Sequence, residues 1–284
     1  MNETKDLKEI VKEKYGEIAK SSSSCCGPTS CCGSSENKIV GYTIMKDEYT
    51  HLDGYVAEAD LGLGCGLPTE FAGIEKGDTV VDLGSGAGND VFVARAIVGK
   101  EGRVIGIDMT EAMVENANQN NSKLGYKNVQ FRLGDIEDMP IANNLADVVV
   151  SNCVLNLVPD KQKAFSEIYR VLKPGAHFCV SDIVIKGELH PDLKKSAEMY
   201  AGCVAGAVQQ DEYLNIIKEA GFVNVEIKKT KTILLPDDIL LQYLSEDQLQ
   251  NYKIKEAGIF SITVVAEKPI DQAKGCCDDS CCKN

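Results

Sequence analysis

The sequence predicts an α/β fold built on a doubly wound, mainly parallel sheet of seven strands. A β-branched run at 79–81 precedes a glycine-rich turn and an apolar-periodic segment at 91–98, a pattern typical of strand, tight turn and helix. Apolar strands then alternate with helices at a spacing that covers both faces of a parallel sheet. We therefore expect a ligand site at the carboxyl edge of the sheet.

The elements are predicted in chain order from their periodicity and their flanking residues. Apolar side chains recur at helical spacing between charges over residues 3–19, which predicts an amphipathic helix that covers another surface. The central part of the chain gives strand 103–107, helix 111–124 behind the N-cap Thr110, strands 129–133 and 147–151, helix 161–172 closed by Pro174-Gly175, and strand 177–183. The last part gives helices near 191–205 and 209–220, strand 223–233, a short helix near 237–244, and strand 259–267.

We divide the chain into five segments by composition and predicted structure. They are the N-terminal helix and Cys-rich linker (1–36), a lid segment containing Cys65 (37–75), the cofactor-binding core (76–185), substrate-side helices with the closing strands (186–268), and a Cys-rich tail (269–284).

Composition and charge exclude several classes of partner. The 284 residues are 44% hydrophobic, enough for a substantial core, and carry a net charge of -13, which argues against nucleic acid and anionic membrane surfaces. No apolar signal core begins the chain, and no apolar run approaches the roughly 20 residues of a membrane helix. We therefore expect a cytoplasmic protein.

Twelve cysteines in such a chain indicate thiols rather than a disulfide framework. Eight of them form pairs in flexible segments near the two ends: Cys25, Cys26, Cys31, Cys32, Cys276, Cys277, Cys281 and Cys282. Their C-C-x4-C-C and C-C-x3-C-C spacings differ from the C-x2-C of structural zinc sites. They favour a loose trap for a thiophilic ion, and a tolerated Cys-rich tail is the alternative.

The glycine turn distinguishes between cofactors. A dinucleotide fingerprint would place its third glycine at Asn89, whereas the spacing here is G-x-G-x-G. With Asp82 before the turn and Asp108 closing the next strand, the pattern resembles the S-adenosylmethionine site of class I methyltransferases, a Rossmann-like fold. A ligand-free glycine turn is the alternative. The resemblance implies cofactor contacts from Asp82, Gly84, Ser85, Gly86, Gly88, Asp108, Met109, Asp135, Ile136 and Asn152, with Asp108 on the ribose hydroxyls and Asp135 on the adenine amino group.

Candidate acceptor-side residues are cysteines. The fourth strand ends in SNCVLNLVPD, which places Cys153 at the carboxyl edge, and the Asn-Pro-Pro-aromatic signature of nucleobase methylation is absent there. Cys203 lies among small residues in YAGCVAGA, and Cys65 lies between glycines in a loop. Cys179 lies inside a strand, and we expect it in the core.

Taken together, DLGSGAGND, GIDMTEAM, GDIED, SNCVLNLVPDK, YRVLKPGAH and YAGCVAGA resemble the arsenite S-adenosylmethionine methyltransferases of microbes over residues 40–268. The resemblance implies that Cys153 and Cys203 hold As(III), and that Cys65, on a mobile loop, delivers it or completes the site and later forms a disulfide. It also implies arsenite or its thiol conjugates as substrate and glutathione or thioredoxin as reductant. The terminal cysteine pairs, as further candidate ligands, and Leu63, where some relatives have an aromatic, depart from the family pattern.

The chemistry agrees with this interpretation, because trivalent arsenic is soft, binds three sulfurs and keeps a lone pair that attacks the sulfonium methyl without a general base. Two other functions stay open from the sequence. One is a C- or O-methyltransferase for a quinone, sterol or other small molecule. The other is a thiol protein that sequesters metal on an inert methyltransferase fold.

Overall fold

The computed structural model describes residues 3–22, 49–188, 206–233, 237–241, 245–247, 249–250 and 258–270. Within these residues, seven strands form one sheet: β1 (Thr79–Leu83), β2 (Arg103–Asp108), β3 (Val129–Leu133), β4 (Ala146–Asn152), β5 (Leu172–Lys186), β6 (Val223–Ile233) and β7 (Gly258–Glu267). Their order is β3-β2-β1-β4-β5-β7-β6. β7 pairs antiparallel with both β5 and β6, and the other neighbours are parallel. The predicted doubly wound, mainly parallel sheet is confirmed.

The described helices are α1 (Glu3–Ser22), α2 (Pro68–Phe71), α3 (Asn89–Val98), α4 (Glu111–Leu124), α5 (Lys161–Val171), α6 (Gln210–Glu219) and α7 (Asp237–Leu240), with a 3-10 turn at Leu155–Leu157. The predicted helix near 191–205 lies outside the described residues. Among the helices described, none combines the length and the apolar character that a membrane crossing requires.

Alternation along the strands places apolar side chains on both faces of the sheet. In β1, Val81 and Leu83 join the cluster that includes Phe165 of α5 and Ile217 of α6. Val80 faces the other way, into a cluster with α3. Because successive side chains of a strand point to opposite faces, one short apolar strand supplies two cores.

β5 is longer than predicted. The sequence predicts a helix that ends at Leu172, closed by Pro174-Gly175, and a strand over 177–183. In the structure, α5 ends at Val171 and β5 begins at the next residue. The register of β5 on β4 shifts between the pairs formed by Leu172 and His177, and Gly175 N–H donates to the carbonyl of Lys268. Proline has no N–H and is accepted in a strand at such an irregularity, so Pro174-Gly175 interrupts β5 without ending it.

Helix α1 covers part of the carboxyl edge of the sheet. Asn116 of α4 donates from Nδ2 to the carbonyl of Ala19 at 2.9 Å. Lys8 Nζ lies 2.6 Å from Asp135 Oδ2 and 2.7 Å from Glu137 Oε2. The amphipathic helix predicted at 3–19 is therefore present, three residues longer, and attached to the loop after β3.

Candidate active site

A cavity of about 1110 Å³, its open mouth included, lies at the carboxyl edge of the sheet. The predicted cofactor-binding residues line it, except Gly88, which is the N-cap of α3. Cys153 lines the same cavity, as do Lys8, Val11 and Tyr15 of α1. The predicted cofactor-binding residues and Cys153 thus lie around one open cavity at the strand ends.

The glycine turn and the end of β4 touch each other. Gly84 has φ 66, and a Cβ built there would lie 2.4 Å from Cγ2 of Val154, the neighbour of Cys153. A larger residue would therefore suffer both backbone strain and a clash. This close approach brings the turn after β1 beside the segment that carries Cys153.

Three buried carboxyl groups line the cavity, those of Asp82, Asp90 and Asp108. Burial, followed by the charges of Asp90 and Asp108, raises the pKa of Asp82 well above its ordinary value. Burial raises the pKa of Asp90 to about 6, against the opposing effect of hydrogen bonds from Asn152 and Tyr49. A cationic ligand would offset the cost of ionising these groups.

Asp108 connects the end of β2 to the glycine turn. Its Oδ2 accepts from Gly86 N–H at 3.0 Å, and its Oδ1 accepts from Thr110 N–H at 2.8 Å. Burial raises its pKa, and these two hydrogen bonds oppose the rise. Thr110 is the N-cap residue of α4 as predicted, but its side chain makes no capping hydrogen bond.

The lining fits S-adenosylmethionine, which carries a positive sulfonium and a positive ammonium group. Ser85 Oγ and Asn89 Oδ1 are buried without a hydrogen-bond partner in the described structure, and both residues line the cavity. No atom comes within 4 Å of a Cβ built on Gly86, so the backbone there is open to a ligand. Acids for the cationic groups and unsatisfied acceptors for hydroxyl or ammonium donors are both present.

Asp135, expected on the adenine amino group, already has two partners. Its Oδ2 accepts from Lys8 and its Oδ1 from Glu137 N–H at 2.9 Å. Lys8 is not among the predicted site residues, because a lysine on an amphipathic helix is ordinarily solvated. Its contact becomes visible only when α1 is placed over the cavity.

Cys153 occupies a strained position. It has φ 61, a conformation that a residue with a Cβ rarely adopts, and its N–H donates to the carbonyl of Ser181 at 2.7 Å. The residue is 2% exposed and lines the cavity. Strain of this kind persists where the surrounding structure imposes it, and it is common at functional sites.

Cys65 lies next to this position but is more enclosed than predicted. The sequence suggests a thiol on a mobile loop without apolar neighbours, whereas Cys65 is completely buried. Its N–H donates to Asn152 Oδ1 at 3.0 Å, and its carbonyl accepts from Ser261 Oγ at 2.6 Å. A side chain of β4 therefore holds the N–H of Cys65, and a side chain of β7 holds its carbonyl.

The described structure brings two of the three predicted cysteines together. The N–H of Cys65 donates to the side chain of Asn152, which directly precedes Cys153, so the two cysteines lie close together. Cys203 and the eight terminal cysteines lie outside the described residues. Cys179 is fully buried in the core, as predicted. Within the described ranges, no group of three or more His, Cys, Asp or Glu side chains is arranged to hold a metal ion.

Two hydrogen-bonded pairs of side chains in this region were not predicted from the sequence. Tyr49 donates to the carboxylate of Asp90 at 3.0 Å, and Tyr213 donates to Asp182 Oδ2 at 3.0 Å. Asp90 had one available signal, an acid in the first turn of an otherwise apolar helix. The two tyrosines stand in no motif.

Asp182 makes folding stability depend on pH. Burial raises its pKa from 3.8 to about 7, with opposing effects from hydrogen bonds and Lys161. Because the folded-state pKa is raised, the stabilising contribution of this group is complete below about pH 4 and is lost as pH rises through 7. Relative to the unmodified chain, Asp182→Asn should therefore gain up to about 4 kcal/mol in free energy of unfolding between pH 4 and 8. Urea unfolding across this range measures the difference, and parallel stability curves would contradict it.

Comparison with known proteins identifies the family. Residues 74–221 match a methyltransferase domain. The chain is 39% identical over 274 residues to the arsenite methyltransferase of Halobacterium salinarum, covering 93% of this chain and 67% of that protein. It is 31% identical over 247 residues to the arsenite methyltransferase of Aquipseudomonas alcaligenes, covering 84% and 69%.

A solved structure agrees with this result. The crystal structure of an arsenic(III) S-adenosylmethionine methyltransferase from Chlamydomonas reinhardtii matches with a TM-score of 0.62 and 33% identity, covering 82% of this chain and 74% of that one. The fold, the acidic cavity at the carboxyl edge and the sequence likeness all agree. The chain belongs to the arsenite methyltransferase family of S-adenosylmethionine-dependent enzymes.

Proposed function

We propose that this protein methylates trivalent arsenic, with S-adenosylmethionine as the methyl donor and cysteine thiolates as the arsenic ligands. One observation carries the proposal. Cys153 is held in a strained conformation on the wall of the cavity that also contains the glycine turn and its acids. Cys65 is held beside it through Asn152. The names of the relatives support arsenite as the substrate class.

We assign Cys203 as the third sulfur ligand. Its sequence context, YAGCVAGA, supports this assignment, because that stretch is part of the resemblance to the arsenite methyltransferases. Soft arsenic binds three sulfurs, and Cys65 and Cys153 supply two of them in this proposal.

Sulfur ligation follows from the chemistry of the substrate. Trivalent arsenic is soft, so thiolate sulfur is preferred to carboxylate or imidazole. When arsenite binds to three thiols, three As–S bonds form and three water molecules leave. The lone pair then remains on the open side of the arsenic. We assign to Cys65, Cys153 and Cys203 the task of aiming that side into the cavity.

When bound, the cofactor would supply an electrophilic methyl group for the arsenic lone pair, with its own thioether sulfur as the leaving group. Asp82, Asp90 and Asp108 would hold its positive groups, with Ser85 and Asn89 accepting hydrogen bonds from it. No proton leaves the arsenic, so none of these carboxylates needs to act as a base. The contribution of the protein is mainly to hold the reacting atoms in line and to exclude water.

Regeneration of the trivalent state requires two electrons. Methyl transfer oxidises the arsenic, because its lone pair becomes the As–C bond. Two thiolate sulfurs then couple: their As–S bonds break, a disulfide forms, and the two electrons return to the arsenic. An external thiolate takes the vacated position. Two glutathione molecules or one reduced thioredoxin reduce the disulfide and leave oxidised.

The remaining expectations belong to the same proposal. We infer that the terminal cysteine pairs capture As(III) ahead of the active site, since paired thiols at both ends suit a thiophilic ion. The net charge of -13 supports a cytoplasmic protein without nucleic acid or membrane partners.

Acceptor specificity tests the proposal against its alternatives. We expect S-adenosylhomocysteine to form from S-adenosylmethionine when arsenite and glutathione are present, and not when a quinol or a sterol replaces arsenite. Product formation with the carbon or oxygen acceptor and none with arsenite would refute the proposal in favour of a small-molecule methyltransferase. If calorimetry detects no binding of S-adenosylmethionine to the full chain, the metal-sequestering alternative is supported instead.

A further inference from the structure

The side chain of Asn152 is occupied by the loop that carries Cys65. Its Oδ1 accepts from the N–H groups of Cys65 at 3.0 Å and Gly66 at 3.3 Å. Its Nδ2 donates to the carbonyl of Gly66 at 2.9 Å and also contacts Tyr49 and Asp90. Both polar atoms of the amide are therefore used within the protein, although Asn152 also lines the cavity.

The glycines on either side of Cys65 allow this contact. A Cβ on Gly64 would lie 2.6 Å from Asn152 Nδ2, and a Cβ on Gly66 would lie 2.4 Å from Ser181 Oγ. Real Cβ atoms do not approach other atoms so closely, so any other residue would push the loop away from Asn152. The G-C-G pattern thus has a local cause: Asn152, at the end of β4, and Ser181, inside β5, pack against the backbone that flanks the thiol.

Tyr49 and Asp90 fix the orientation of the amide. Tyr49 is 4% exposed, and its hydroxyl donates to the Asp90 carboxylate at 3.0 Å. Asn152 Nδ2 lies 3.2 Å from Asp90 Oδ2. With acceptors gathered around Nδ2, the amide oxygen is left to face the two N–H groups of the Cys65 loop. If the amide were flipped, its NH2 group would face the N–H groups of Cys65 and Gly66, and neither hydrogen bond could form.

We propose that Asn152 is a positioning residue that fixes the Cys65 thiol next to Cys153, and that its side chain acts on arsenic through Cys65 and not by contact with the cofactor. This rests on the proposed function, because it assigns the geometry of that same thiol site. It also changes the role expected for Asn152 from sequence resemblance. Asn152 directly precedes the strained Cys153, and its side chain binds the backbone of Cys65, which lies 87 positions earlier in the chain.

Steady-state kinetics on the full chain separate this role from a structural one. We expect Asn152→Ala to raise the KM for arsenite by about 10- to 100-fold, because three hydrogen bonds to the Cys65 loop are lost. The Kd for S-adenosylhomocysteine, measured by calorimetry, should stay within about twofold of the unmodified value. A variant that is merely less stable would show a lower kcat at an unchanged KM.

Ser151→Ala is the matched control. Ser151 is the preceding residue of β4, is 1% exposed, and donates from Oγ to the carbonyl of Leu83 at 3.2 Å. Its replacement also removes one buried hydrogen bond, but away from the Cys65 loop. The KM for arsenite should stay within about twofold in this control.

Asn152→Asp supplies a second test if Asn152→Ala does not fold. The carboxylate keeps the shape and an oxygen that accepts from the Cys65 and Gly66 N–H groups, but it loses the donors to the Gly66 carbonyl and Asp90. We expect a rise of about 3- to 10-fold in the KM for arsenite. An unchanged KM for arsenite in the variants, or a loss confined to cofactor affinity, would overturn the positioning role while leaving arsenite methylation intact. No arsenite-dependent turnover in the unmodified chain would refute the proposed function, and this inference with it.

Discussion

Replacement of Cys153 by alanine is expected to lower the rate of arsenite methylation by at least about 100-fold, which corresponds to ~3 kcal/mol of lost transition-state stabilisation. Cys153 is the described cysteine that lines the cavity, and its backbone is held at φ 61. In the proposed ligation, the arsenic would lose one of its three soft ligands, and its lone pair would no longer be aimed at the methyl carbon. The rate of S-adenosylhomocysteine formation with saturating arsenite and glutathione measures the loss.

Cys179→Ala provides the matched control. Cys179 is equally buried, but it lies in the apolar cluster with α3. Burial raises the pKa of its thiol to about 12, so the thiol stays protonated at neutral pH and is a poor ligand. The rate per folded molecule should stay within about twofold in the control. Turnover retained by Cys153→Ala at the level of this control would show that Cys153 is not an arsenic ligand.

Asp108→Ala is expected to weaken the binding of S-adenosylmethionine by about 30- to 150-fold. The carboxylate ends β2 at the cavity wall and accepts from Gly86 N–H and Thr110 N–H. Its removal deletes the acceptor expected for the ribose hydroxyls. It also deletes the link that holds the glycine turn against β2, so both the ligand contact and the shape of the turn are lost. Calorimetry on the full chain measures the change in Kd.

Asp147→Ala is the control for that variant. Asp147 lies near the opposite end of the sheet, at the start of β4, where it accepts from Thr79 N–H at 3.0 Å and binds Lys173 Nζ at 2.7 Å. Its removal also deletes a carboxylate with a backbone partner, but far from the cavity. We expect its Kd for the cofactor to stay within about twofold of the unmodified value. Equal cofactor affinity in the two variants would show that Asp108 does not contribute to cofactor binding.

The elements of the fold were accessible from the sequence because each carries its own periodicity and its own start or stop signals. Helix 111–124, strand 129–133 and strand 223–233 were predicted to the residue. For most of the other described elements, the predicted and observed bounds differ by one to three residues at an end. Fraying and the available pairing partners determine where an element ends. β5 differs more, because Pro174-Gly175 reads locally as a stop, while pairing with β4 and β7 continues the strand.

The cavity was also accessible in outline. Acids and glycines at the ends of consecutive parallel strands converge by topology alone, so Asp82, Gly86 and Asp108 meet as expected. Sequence patterns do not encode contacts between distant segments. The Asn152 amide meets the Tyr49 hydroxyl across 103 residues, and Lys8 meets Asp135 across 127. Such partners become apparent only after the lid segment and α1 are placed on the sheet.

Burial of Cys65 is a further case of this kind. Glycine neighbours and a following proline are typical of an exposed loop, and they led to the prediction of a mobile thiol. The glycines serve instead to admit Asn152 and Ser181 against the backbone. Glycine in a loop has two physical uses, freedom of the backbone and close approach of another group, and local sequence does not distinguish them.

Arsenic speciation tests the central claim most directly. The full chain is incubated with arsenite, glutathione and S-adenosylmethionine labelled in its methyl group. The arsenic species are then separated and identified by mass spectrometry. We predict methylated arsenic that carries the label with the unmodified chain, and only arsenite with Cys153→Ala. Recovery of arsenite alone from the unmodified chain, with S-adenosylmethionine bound but unconsumed, would contradict the claim that these thiols present arsenic to the methyl donor.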